Sequence, residues 1–301
     1  MTEASKAAFA ALPLEGVRVL SLALNLPGPA ALMRCAAMGA TCIKLEPPGQ
    51  NHRPGDPMAS YAPEAYRDMH RGVQLLQADL KSPPGQALLR EQLAAADVLI
   101  TSFRPSALRK LGLDWASLAP VYPRLSQVEI VGAPGPRAEE PGHDLTYLAE
   151  SGLVPGLDLP ATLYADMAGS LMASEAVLRA LLHRALHGCG TRIEVALSLA
   201  AEYLSLPRAW GLTQPSGAVG GAHAGYRVYA CADGRVAVAA LEPHFAKRLA
   251  QVAGLDPDAG EAMFRSATHQ AIGAFLRGRT RAELDALALA HDLPLHTLEA
   301  S

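Results

Sequence analysis

Three short stretches place an ionisable side chain beside small or turn-forming residues: Gly142-His143-Asp144, Ala165-Asp166-Met167-Ala168-Gly169 and Leu241-Glu242-Pro243-His244-Phe245. Together they supply His143, Asp166 and Glu242. A histidine and a carboxylate that face one carbon from opposite sides can remove a proton and return one on the other face. His143 follows a Pro141-Gly142 turn, an unusual place for a core histidine. Asp166 stands before a helix that opens Met167, Ala168, Gly169 and Ser170, so its plain reading is an N-cap, a role worth ~1 kcal/mol. The functional reading gives the same helix N-terminus backbone N–H groups facing a developing oxyanion, with Gly169 letting a ligand approach closely. Glu242 ends an apolar strand, a setting in which a carboxylate is often partly buried and takes a partner such as histidine.

These groups need a scaffold. A chain of 301 residues exceeds one average domain, and with half its residues hydrophobic and 18% charged it can bury a sizeable core. A net charge of −3 gives no electrostatic reason to expect nucleic acid or a membrane surface as partner. No apolar run approaches the ~20 residues of a spanning helix. The opening MTEASKAAFAALPLEG has no long apolar core of the secretory kind, so the expected location is cytoplasmic. Cys35, Cys42, Cys189 and Cys231 are scattered without a CxxC pair and read as neutral thiols, not as a disulfide frame or a zinc site.

Strands and helices alternate along the first two thirds of the chain. Residues 17–22, 41–45, 97–101 and 125–131 read as short strands, with a turn over Asn25-Leu26-Pro27-Gly28-Pro29 and a helix over 30–38. Ser82 reads as the cap of a helix whose prolines sit at its start. A long Ala- and Leu-rich helix spans 166–186, then a strand over 191–195 and a helix over 196–206. The pattern predicts an α/β fold: a doubly wound parallel-sheet (Rossmann-like) large domain over 1–205, with sites in the loops beyond the strands' C-terminal ends. A glycine-rich linker over 206–225 leads to a smaller α+β domain over 226–301, opening with a hairpin turned at Asp233-Gly234 and helical from Pro243 onward.

Absent motifs prune the alternatives: the chain has no GxSxG elbow, no Walker A loop and no GxGxxG fingerprint. His183 and His187 share a helix face but lack a third ligand in recognisable spacing, and read as surface histidines near a helix C-terminus.

The stretches LEGVRVLSLALNLPGP, MGATCIKLEPPG, DLKSPPGQALLREQLAAADVLITSFRPSALRKLGLD and PGHDLTYLAESG, followed by YADMAGSLMA, resemble the family III CoA-transferase and 2-methylacyl-CoA racemase superfamily over residues 13–299. The resemblance implies that Asp166, in the ADxxxG segment, is the catalytic aspartate. The His143-Asp144 pair and the ALEPHF segment holding Glu242 are similar to the racemase branch. The implied chemistry is 1,1-proton transfer on a 2-methyl-branched acyl-CoA thioester between His143 and Asp166. Glu242 would charge-support His143, N–H groups around Ala168-Gly169 would hold the enolate oxygen, and no metal or redox cofactor is required. The alternatives are CoA transfer to a carboxylic acid through an aspartyl-CoA thioester on Asp166, and a non-catalytic acyl-CoA-binding relative.

The sequence departs from the family where relatives handle CoA. Val73 and Gln74 stand where a basic pair is usual, Pro47 where an arginine is frequent, and Thr101-Ser102-Phe103-Arg104-Pro105-Ser106 where a Glu-Asn-aromatic-x-Pro-Gly motif is usual. Ser102, Phe103, Arg104, Arg109, Lys110, Arg71 and Gly169 are the expected contacts to the CoA part of the substrate. Relatives form interlocked pairs and continue past the segment resembling Leu293–Glu299, whereas this chain stops at Ser301; a homodimer is expected, its interlock left open.

Overall fold

The computed structural model describes residues 12–49, 54–256 and 260–300; the first eleven residues of the opening stretch lie outside the described residues. The chain divides into two compact units, the first ending at Ser205 and the second beginning at Leu206.

In the first unit, β1 (Arg18–Ser21), β2 (Thr41–Glu46), β3 (Gln74–Gln77), β4 (Val98–Thr101), β5 (Ser126–Val131) and β6 (Arg192–Ala196) form one six-stranded sheet. Its order is β3-β2-β1-β4-β5-β6, and every pairing is parallel. The crossovers are α1 (Pro27–Ala37), α2 (Met58–Tyr61), α3 (Pro63–Met69), α4 (Pro83–Ala95), α5 (Pro105–Leu111), α6 (Trp115–Leu118), α7 (Asp144–Glu150) and α8 (Tyr164–His187), and α9 (Leu197–Ala209) follows β6.

Because a parallel sheet is covered on both faces, its strands read as apolar runs, and successive side chains go to opposite cores. Val19, Val98, Ile100, Val128 and Ile130 pack with Leu32 and Cys35 of α1 and with Ala173, Ala176 and Val177 of α8. Leu20, Ile43, Leu45 and Leu99 pack on the other side with Leu89 and Leu93 of α4 and Leu108 of α5. The small residues of α8 are what let so long a helix lie close to α1 and β5. Ser82 does cap α4, accepting the Gly85 N–H at 3.1 Å, and Pro83 and Pro84 occupy the first turn, where no helical N–H is needed. Cys35 and Cys42 are buried, with thiols pushed up to about 12 by desolvation, and all four cysteines are free.

The second unit carries a three-stranded antiparallel sheet, β7 (Tyr226–Cys231), β8 (Gly234–Ala239) and β9 (Leu295–Leu298), with α10 (Pro243–Val252), α11 (Ser266–Arg277) and α12 (Arg281–His291). Val236, Val238, Leu249, Ile272, Leu276 and Leu284 form its core.

Several expectations change. β3 has no signature in the sequence because an exposed edge strand needs little apolar content, and Gln74 and Gln77 are its ends. β9 interrupts the helical run expected after Pro243, since β8 has a free edge that Leu295–Leu298 completes. The hairpin turns at Ala232-Asp233, because Cys231 pairs with Gly234. The helix expected from Ala30 begins at Pro27, the proline supplying a first-turn residue. Residues 206–225 are part of the second unit, not a separate linker: the Ala224 N–H donates to the Met263 carbonyl at 2.8 Å and the Tyr229 hydroxyl to the Ala224 carbonyl at 2.8 Å.

Candidate active site

In the six-stranded order, the chain leaves β1 for β2 on one side while β4 leads to β5 on the other. The connections after β1 and β4 therefore part, and a crevice opens beyond the strands' C-terminal ends. A cavity of ≈ 180 Å³ lies there, lined by Leu24, Asn25 and Pro27 after β1, by Ser102, Phe103 and Arg104 after β4, and by Ile130, Val131 and Gly132 at the end of β5. His143 and Asp166 belong to the same wall. Two of the three residues singled out for proton transfer thus meet in one cavity.

His143 stands immediately before α7 and is exposed. The Thr146 hydroxyl accepts its backbone N–H at 3.1 Å and donates to its carbonyl at 2.7 Å, so the backbone that carries the imidazole is fixed. The preceding turn depends on small residues. A Cβ on Gly142 would lie 2.5 Å from the Tyr147 hydroxyl, and one on Gly132 would lie 2.2 Å from it. Tyr147 is buried, and its ring occupies the volume those two glycines vacate.

Asp166 is the third residue of α8, not its cap: the N-cap is Leu163, which makes no side-chain capping bond. The helix starts earlier than its apolar pattern shows because the buried Asp144 takes over one orphan donor, its Oδ1 accepting the Asp166 N–H at 2.9 Å. Burial first, and the neighbouring Asp144 second, push the Asp166 carboxyl up to about 6, with His143 pulling the other way. The oxyanion role expected of Ala168 and Gly169 does not survive the early start. The Met167 N–H already donates to the Leu163 carbonyl at 3.0 Å, and the next two N–H groups belong to the helical ladder. Gly169 is buried and serves packing, since a Cβ there would lie 2.2 Å from Leu197 Cδ2, which leaves no room for a ligand to approach.

The expected CoA contacts separate. Ser102, Phe103 and Arg104 line the cavity, and the Ser102 Oγ also accepts the Leu24 N–H at 3.2 Å, tying the two loops together. Arg104 is exposed at the start of α5. Arg109 and Lys110 lie in the last turn of α5, with Arg109 3.5 Å from Glu139. Arg71 pairs with Asp68 at 2.7 Å and does not line the cavity. Glu242 belongs to the second unit, where it is exposed and precedes α10; its backbone carbonyl, not its carboxylate, makes the helical contact, with Ala246 at 2.9 Å. A carboxylate at a helix start is held by solvent and the helix dipole, so the burial expected from the strand before it is not needed. His183 lies 3.4 Å from the Cys189 carbonyl, and among the described residues no group of three or more His, Cys, Asp or Glu could hold a metal ion.

Sequence reasoning missed Asn25, Asp56 and Lys44, and it left Asp144 without a role. Lys44 is wholly buried and lies 2.5 Å from Asp56, 3.3 Å from Glu46 and 3.1 Å from His70 Nε2. Asp56 in turn accepts the Asn25 N–H at 3.1 Å and the Met58 N–H at 2.9 Å. A lysine inside an apolar strand was the one signal in the sequence, because a buried ammonium must have partners.

A parallel sheet with a histidine and a raised carboxyl at its topological switch point defines an enzyme-like α/β unit. The model of CoA-transferase family III matches residues 14–300, and the chain belongs to that family. It is 31% identical to human alpha-methylacyl-CoA racemase over 82% of this chain and 66% of that protein. It is 35% identical to an Agrobacterium fabrum succinate–glutarate CoA-transferase over 62% of this chain and 51% of that protein. The chain thus spans about half to two thirds of the length of these relatives. Among solved structures it is similar to the Mycobacterium tuberculosis protein Rv3272, with a TM-score of 0.80 at 25% identity, covering 95% of this chain and 85% of that one. A Brucella suis CaiB/BaiF family protein gives a TM-score of 0.79 at 25% identity, over 96% and 84% of the two chains. No described helix is long and apolar enough to cross a membrane.

Proposed function

We propose that this chain racemises or epimerises 2-methyl-branched acyl-CoA thioesters by 1,1-proton transfer. The observation that carries the reading is the cavity shared by His143 and Asp166, with burial and Asp144 raising Asp166 to about 6. A carboxylate titrating near neutrality is a better match for a proton-transfer partner than one near its ordinary value. The thioester makes the α-hydrogen acidic. One of the pair takes the proton, the electron pair passes to the carbonyl oxygen, and the other group delivers a proton to the opposite face. The 31% identity to a racemase supports the reading.

CoA transfer is the second reading, favoured by the CoA-transferase names of several relatives. There the Asp166 carboxylate attacks the thioester carbonyl and expels the CoA thiolate, leaving a mixed anhydride; the thiolate then attacks the aspartyl carbonyl and releases the carboxylic acid. The two are separated by incubating chiral 2-methylacyl-CoA in deuterium oxide beside a CoA-transfer assay with free acids. Deuterium uptake with loss of chirality, abolished by His143→Ala and by Asp166→Ala, is the expected result. Transfer without exchange, dependent on Asp166 and indifferent to His143, would replace it with the transferase reading. A homodimer and a cytoplasmic location belong to the same proposal.

A further inference from the structure

With the N–H groups of Ala168 and Gly169 committed to their helix, the thioester oxygen needs another donor, and the cavity wall contains a suitable one. Asn25 follows β1 and lines the cavity together with His143 and Asp166. Its backbone is left-handed, φ +64°, a conformation that glycine adopts freely and asparagine tolerates better than most other residues. The conformation is held from both sides. The Leu24 N–H donates to Ser102 Oγ at 3.2 Å, and the Asn25 N–H donates to Asp56 at 3.1 Å, a carboxylate itself fixed by the buried Lys44. A little further on, the chain packs so tightly that a Cβ on Gly28 would lie 2.1 Å from that of Ala23.

If the turn were the only requirement, glycine at this position would meet it without resistance. The chain instead keeps a carboxamide there, and that carboxamide makes no hydrogen bond among the described residues. Because the backbone N–H is spent on Asp56, the side-chain NH₂ is what this residue has left to offer a ligand. Non-glycine residues held in sparsely populated backbone regions cluster at sites where their side chains act.

We propose that the Asn25 carboxamide donates a hydrogen bond to the substrate's thioester oxygen and holds it as it becomes an enolate oxygen. The inference rests on the acyl-CoA reading above and names one further catalytic residue within it. As the α-C–H bond breaks, the proton passes to Asp166 or His143 and the electron pair moves onto the oxygen facing Asn25. Reprotonation at carbon returns the pair and weakens the bond. Asp56 and Lys44 act as positioning residues, holding the turn that aims the amide.

The test is Asn25→Gly, which keeps the left-handed turn and removes the donor, with Asn25→Asp as an isosteric partner lacking the NH₂. Far-UV circular dichroism and thermal unfolding establish that each is folded. The full chain is assayed for α-proton exchange, the step that forms the enolate, with CoA transfer measured beside it. Loss of a donor to a developing oxyanion lowers kcat by ~10²–10³ with KM little changed, and that split is expected for both variants. Asn25→Gly with wild-type kcat, or a loss confined to KM, overturns the role of the amide while leaving the acyl-CoA reading intact. A wild type showing no α-proton exchange, with or without CoA transfer, overturns the racemase reading and this inference together.

Discussion

Replacing Asp166 by asparagine should stabilise the protein above neutrality and do nothing for it in acid. In the folded chain the carboxyl ionises at about 6 against an ordinary 3.8, raised by desolvation and by Asp144. A rise of that size corresponds to roughly 3 kcal/mol if taken in full. Two effects reduce it: the carboxylate is only partly shielded from water, and its charge in the first turn of α8 is favoured by the helix dipole by about 0.5 kcal/mol. A net gain of about 1–2 kcal/mol at pH 8 remains once those two reductions are made. Linkage sets the sign. Between 3.8 and about 6 the folded state holds a proton that the unfolded state releases, so this group's contribution to stability is complete below 3.8 and is lost as pH rises through 6. The asparagine side chain cannot ionise and escapes that loss. The assay is urea unfolding at pH 4 and pH 8, followed by the fluorescence of Trp115 in a Trp210→Phe background, since Trp210 lies in the other unit. A gain at pH 8 that disappears at pH 4 is the expected pattern. No gain at pH 8, or an equal gain at both, would refute the claim that burial and Asp144 raise this carboxyl.

Two further perturbations test the machinery around it. Asp144→Asn removes the second cause of the shift while keeping an oxygen for the Asp166 N–H, so the pH midpoint of whichever activity depends on ionised Asp166 should fall below that of the wild type; an unchanged midpoint would assign the shift to burial alone. Gly132→Ala should destabilise the first unit by about 1–3 kcal/mol, because its methyl meets the Tyr147 hydroxyl. Adding Tyr147→Phe removes the offending oxygen and should recover most of that loss in a double-mutant cycle, whereas additive losses would show that the close approach is not the cause.

The alternation of apolar strands and helices up to Ala196 was readable because a sheet covered on both faces demands continuous hydrophobic runs at its centre. Edge strands carry no such demand, so Gln74–Gln77 and Leu295–Leu298 became visible only with their partners in place. The same division holds at the site. His143 and Asp166 were marked by residue type and by the turns and glycines beside them, which are local properties. Both lie in the connection from β5 to β6, where Asp144 ties the start of α8 to the start of α7; strand order supplies the rest of the wall, because β1 and β4 bring Asn25 and Ser102 to the same cavity.

By itself the sequence determined the fold class, the family and which two side chains to pair as candidate acid and base, all of which depend on pattern and residue type. Only the tertiary structure decided where α8 starts, and with that which donors are spent. A helix boundary is set by what satisfies its first N–H groups, and here that group is Asp144, 22 residues upstream of the Asp166 it holds. The turn at Asn25 was readable, since asparagine tolerates the left-handed region, but the long-range contacts to Ser102 and Asp56 that hold it against the site appear only in the folded chain.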